Sequence, residues 1–169
     1  MNFQFYAEKL KASEEFKKFI EENKDAFFAS GFFVMDFENS EKPDNKQHFD
    51  YFIPGKNKMF SFQVEENCKK VPVEIVDKGF KEVALNHSFD FDKIHEIIRD
   101  KMIEKEVKNK IQRILLSLQN KDGKDFLIGT IFVSQLGLVK VDIDLTKMQV
   151  IGFEKKSFFD ILKITGKKK

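Results

Sequence analysis

Tryptophan is absent from this chain of 169 residues, and cysteine occurs once, at Cys68. A single cysteine excludes an internal disulfide and suits a reducing compartment. No run of the roughly 20 apolar residues needed to cross a membrane as a helix is present. The first ten residues, Met-Asn-Phe-Gln-Phe-Tyr-Ala-Glu-Lys-Leu, have neither the basic start nor the apolar stretch of a secretory leader. A cytoplasmic protein with no membrane partner is therefore expected. Also missing are a glycine-rich phosphate loop, a Walker-type lysine and a nucleophile elbow. No catalytic set emerges, so the expectation is a non-enzymatic protein without a cofactor.

What the chain has in quantity is phenylalanine, 21 residues, beside two tyrosines. Phenylalanine needs no hydrogen-bond partner when buried, so most of these rings belong in a core. A chain this small must still leave some exposed, and a sticky face follows. Hydrophobic residues make up 41% and charged residues 34%, which permits a packed core and argues against wholesale disorder. Net charge is +2, unevenly spread. Residues 1–90 carry 13 Lys against 17 Asp and Glu, a net of −4, while residues 91–169 carry 17 Lys and Arg against 11 Asp and Glu, a net of +6. Such asymmetry points to an anionic partner or to self-association. The terminal lysines, 167–169, are expected to be a solvated tail.

The dominant feature is an apolar stripe at helical spacing: Ile94, Ile97, Ile98, Met102, Ile103, Val107, Ile111, Ile114, Leu115 and Leu118. It predicts one long helix over 92–119, started by Asp90 or Asp92. After the Asp122-Gly123 turn, strands are expected over 126–133, 139–145 and 149–153. Ser157-Phe158-Phe159-Asp160 has the form of a capping box and predicts a terminal helical turn over 158–164 that packs back on the body.

The first half repeats this order. A helix is expected within 7–23, with Ser13-Glu14-Glu15 as an alternative start signal. A buried strand follows over 26–37, with Gly31 as a bulge or close-approach point. A hairpin joins 48–53 to 58–65 through Pro54-Gly55-Lys56-Asn57. In its second strand Phe60, Phe62 and Val64 should point inward and Met59, Ser61 and Gln63 outward. Residues 71–76 form an edge strand or connector, demoted by Pro72, and 77–88 a link broken at Gly79. The fold class is α+β: a tandem repeat of a helix plus an antiparallel three- to four-stranded sheet, divided as 1–85 and 86–169 or fused into one compact domain.

Asp125-Phe-Leu-Ile-Gly-Thr-Ile-Phe-Val-Ser-Gln-Leu-Gly-Leu-Val-Lys-Val-Asp-Ile-Asp-Leu-Thr-Lys-Met-Gln-Val-Ile-Gly-Phe resembles a PepSY-type repeat. Asp144-Leu145-Thr146-Lys147-Met148-Gln149-Val150 stands at that family's Asp-x-x-Thr-Gly-like turn, with Lys147 and Met148 where its glycine falls. Ser157-Phe-Phe-Asp-Ile-Leu is similar to the end of duplicated PepSY-like proteins of archaeal type. The segment from His48 to Phe62 resembles their first hairpin. The resemblance implies a cystatin-like architecture and a binding or inhibitory role, and it supplies no catalytic residues.

Three histidines, His48, His87 and His95, are too scattered for a metal motif, and satisfied or surface histidines are the expectation. Cys68 beside Lys69 and Lys70 is expected to be a plain thiol. Asp142 and Asp144 share a strand face and offer a cation site, against the plainer reading of a solvated face. The candidate interaction surface combines exposed apolar residues, Phe52 and Met59, with cations of the long helix, Lys101, Lys105, Lys108 and Arg113. A protein partner or self-association is the leading expectation. Nucleic-acid binding along the basic helix 92–119 comes next, and a small-ligand or enzymatic pocket between the repeats is the third.

Overall fold

The computed structural model describes residues 2–76 and 79–166, and the side chains of 158, 161, 164 and 165 are outside that description, as are the terminal lysines 167–169. The first helical segment is two helices, α1 (Phe3–Ala12) and α2 (Glu14–Glu22). Asn2 caps α1 by accepting the Phe5 N–H at 2.9 Å. Ser13 is extended and ends α1, and its hydroxyl accepts the Phe16 N–H at 3.0 Å to start α2. That break turns two short stripes, Phe3, Tyr6, Ala7 and Leu10, then Phe16 and Phe19, onto one sheet face.

Strands β1 (Phe27–Asp36), β2 (Lys46–Ile53), β3 (Lys58–Gln63) and β4 (Lys69–Val73) form an antiparallel meander. Asn57, left-handed at φ 48°, closes the expected turn between β2 and β3. The register shifts between Phe28 and Ser30, so the bulge lies beside Gly31. Gly31 itself makes room for a ring: a Cβ there would sit 2.8 Å from the Phe33 side chain.

The expected long helix is corrected. It stops as α3 (Phe91–Glu104), and Ile111–Lys121 is a strand, β5. The stop is a Schellman closure. Glu106 takes φ 58°, its N–H bonds to the Ile103 carbonyl at 3.0 Å, and the Val107 N–H reaches back to the Met102 carbonyl at 2.8 Å. After the Asp122-Gly123 turn, both residues at positive φ, come β6 (Lys124–Val133), β7 (Gly137–Asp144) and β8 (Gln149–Ser157). The last helix, α4 (Phe158–Gly166), follows β8 directly. It opens with the expected capping box, Ser157 and Asp160 bonding each other's N–H groups at 3.2 and 3.1 Å. Of the Phe and Ile residues expected to pack back on the body, Phe159 is exposed, and the side chains of Phe158, Ile161 and Ile164 lie outside the described residues.

Among the described residues eight strands join one antiparallel sheet in the order β4-β3-β2-β1-β5-β6-β7-β8. The two meanders meet where β1 pairs with β5, from Gly31 opposite Leu118 to Asp36 opposite Arg113. Helices α1, α2 and α3 share one buried cluster with Phe33, Phe49, Phe62, Ile114, Leu116, Leu118, Ile131 and Val141. Phe3 anchors it, stacked on Phe89 at 5.1 Å and edge-on to Phe33 at 5.9 Å.

The Glu106 backbone carries the cost of a left-handed conformation that glycine adopts freely. Glu106→Gly should raise the unfolding free energy by about 1 kcal/mol in urea denaturation. An unchanged or lowered value would contradict the proposed role of this residue in ending α3.

Candidate functional site

The face of the sheet turned away from α1, α2 and α3 holds the alternate residues of every strand. Four neighbouring strands put apolar side chains there: Phe32 on β1, Leu115 on β5, Ile128 and Phe132 on β6, and Leu138 on β7. Ile128 is 37% and Phe132 40% exposed, and Phe32, Leu115 and Leu138 are half-buried. Lys46, Arg113, Lys140, Asp142 and Glu154 lie around them on the same face. An apolar centre with a rim of both charge signs is the composition of a protein-contact surface.

The sequence-predicted surface residues do not come together. Phe52 lies on this face but packs between Phe27 at 5.7 Å and Phe80 at 5.1 Å. Met59 points the same way, opposite Phe52 and Val73, and is buried at 6% exposure, so it offers no contact surface. Ser61, also expected outward, is buried as well. Lys101 is on α3, paired with Glu104 at 2.9 Å, and Lys105 is the cap of that helix. Lys108 falls in the connector to β5. Arg113 is on β5, 3.7 Å from Asp36, not on a helix. A single basic helical face over 92–119 does not exist.

The open face also carries a polar cluster. Asp50 on β2 accepts the Ser30 hydroxyl at 2.9 Å, and Ser61 bonds it from the other side. In the next cross-strand row His48 pairs with Glu65 at 2.6 Å, and Glu65 accepts the Gln47 N–H at 3.0 Å. Burial lifts the Asp50 carboxyl above the usual carboxylate range, against the pull of hydrogen bonds from Ser61 and Ser30 and of the nearby His48.

A polar hollow of about 600 Å³ lies where residues 82–89 meet the β5–β6 turn. There His87 Nε2 is 2.7 Å from Asp125 Oδ2, which also accepts the Ala84 N–H, while Asn120 donates to Asp125 Oδ1. These bonds strap the connector to the turn. Asp144, opened as a cation ligand by the sequence, is held by Lys124 at 2.7 Å and by the Thr146 and Lys147 N–H groups, which keep its carboxyl below the usual range. Among the described residues no group of three or more His, Cys, Asp or Glu is placed to hold a metal ion. Burial raises the half-buried Cys68 thiol, which leaves it protonated at neutral pH.

A third feature was not legible in the sequence. Phe37, α3 and the connector to β5 enclose a cleft of about 750 Å³. His95 lies 4.5 Å from the Phe37 ring, and burial, then Arg99, holds its imidazole below the usual range, so it is neutral at pH 7. The cleft exists because α3 ends at Glu104, which no glycine or proline announces.

No protein-family model and no curated protein matches the chain. The crystal structure of a "putative lipoprotein" from Clostridium difficile 630 is similar in shape, with a TM-score of 0.49 and 13% sequence identity over 85% of this chain and 91% of that one. No helix among the described residues is long and apolar enough to cross a membrane.

The raised Asp50 carboxyl has a pH signature. Its proton is held more tightly in the folded than in the unfolded chain. The stability it contributes is complete below the ordinary Asp value of about 3.9 and is lost as pH rises through the folded-state value. Asp50→Asn, neutral throughout, should therefore unfold at a higher temperature than the parent protein at pH 7, with the gap closing towards pH 4. A pH-independent gap would contradict this.

Proposed function

We propose that this chain is a small, non-enzymatic protein-binding module that works through the open face of its sheet. The observation that carries the reading is the patch of Phe32, Leu115, Ile128, Phe132 and Leu138, exposed or half-buried on a face that α1, α2 and α3 leave uncovered. A sheet face with this many apolar side chains gains from burial against another surface, and antiparallel sheets commonly keep their free face polar. The likeness to PepSY-type repeats supports the same role. Each half runs from helix into a four-stranded meander, and we read the chain as a duplicated, cystatin-like unit whose halves joined edge to edge. The partner is another protein or a second copy of this chain. Nucleic-acid binding has less support, because the predicted cations are spread over a helix, its cap, a connector and a strand, and two of them are in ion pairs. The single half-buried thiol fits a reducing compartment, and on that ground we assign the module to the cytoplasm.

The double variant Ile128→Glu/Phe132→Glu tests this. Both positions are exposed, so its melting midpoint should stay close to that of the parent. Light scattering and cross-linked affinity capture, run in parallel on both proteins, should show a self-complex or a defined partner for the parent that the variant loses. Identical complexes for both proteins would remove the open face from the function.

A further inference from the structure

We propose that the cleft beside α3 binds an amphipathic monoanion, an apolar chain or ring ending in a carboxylate. This is independent of the protein-binding reading, since the cleft is built on the helical side of the sheet. Its floor is apolar: Phe37 at the end of β1, Met102 and Val107 joined by the closing bond of α3, and Ile111 at the start of β5. Met102 and Val107 are buried at 3% and 9%, so they are fixed in place by the core beneath, while Ile103 stands 68% exposed at the lip. A volume of about 750 Å³ falls in the range of small-molecule sites.

The polar end of the ligand is set by the rim. Arg99, Lys108 and Lys110 line the mouth, all exposed, and among the described residues none of the three is in an ion pair. Lys155 reaches the same end of the cleft through Asn109, whose Oδ1 it meets at 3.1 Å. One carboxylate, Glu106, opposes them. The α3 carbonyls at Met102 and Ile103 are already bonded to the Val107 and Glu106 N–H groups, and the cations of the rim offset the negative end of the α3 dipole. Asn109 donates to the Ser134 carbonyl at 2.8 Å, and the Lys110 N–H donates to the Ser134 hydroxyl at 2.9 Å; these bonds hold the cationic connector against the β6–β7 turn. An apolar floor under a rim of three exposed cations matches a ligand with one charge at one end.

The test is a titration with decanoate below its micellar concentration, followed by methyl and backbone NMR. Saturable shifts are expected at Met102, Ile103, Val107 and Ile111. Decanol, with the same chain and no charge, should bind about tenfold more weakly, and so should Arg99→Gln/Lys108→Gln/Lys110→Gln towards decanoate. Glu106→Gln should bind decanoate more tightly. All four substituted side chains are exposed, and unchanged melting midpoints would show that the fold is kept. Equal affinity for decanol, an unaffected triple variant, shifts centred on Ile128 and Leu138, or no saturable shift at all would each overturn the proposal.

Discussion

The pairing of β1 with β5 is the constraint on which the rest of the molecule depends. Without it the chain would be two four-stranded meanders, each with an exposed edge at its first strand. With it, Phe33 lies beside Leu116 and Ile114 beside Met35, and a single core forms under three helices. The true edges move outward to β4 and β8. Those carry Lys69, Lys70 and Pro72 on one side and Lys155 and Lys156 on the other, residues that discourage further strand addition. Joining the meanders also fixes the helices to one side, since each apolar stripe must reach the same core. The uncovered side is then a consequence of the topology, and its Phe32, Ile128 and Phe132 are free for another use.

The α+β class, the hairpin at Pro54 to Asn57, the Asp122-Gly123 turn and the alternation of β7 were all legible, because each rests on a local signal: turn chemistry or a period of two. The helix reading failed at β5 for a physical reason. Ile111, Ile114, Leu115 and Leu118 satisfy a period near 3.6, while Ile114, Leu116 and Leu118 satisfy a period of two just as well. A glycine at the end of α3 would have decided between them. The chain uses Glu106 in the left-handed conformation instead, so the stop left no mark. The break at Ser13 is legible as a capping signal, but that signal alone does not tell a second start from the start of one helix; the extended Ser13 backbone, which ends α1, leaves no mark in the sequence.

The candidate surface suffered from that single error. Lys108 and Arg113 share a face with Lys101 and Lys105 only if one helix carries all four. Alternation turns Met59 outward, and that is the direction it takes. Its burial comes from Val73 and Phe52 on either side, cross-strand neighbours that no local pattern reveals. The open-face patch was legible only as a prospect, in the excess of phenylalanine. Which rings lie on it depends on register between strands distant in sequence, and on the placement of the three helices.

The most direct check of this account is the solvent exposure of methyl groups on the two faces of the same strands, measured in dilute solution by NMR with a soluble paramagnetic agent. Ile128 and Leu138 should be strongly broadened, and Ile131 and Val139, their neighbours on the helical face, should be protected. Protection of Ile128 and Leu138 equal to that of Ile131 and Val139 would contradict an open, available sheet face.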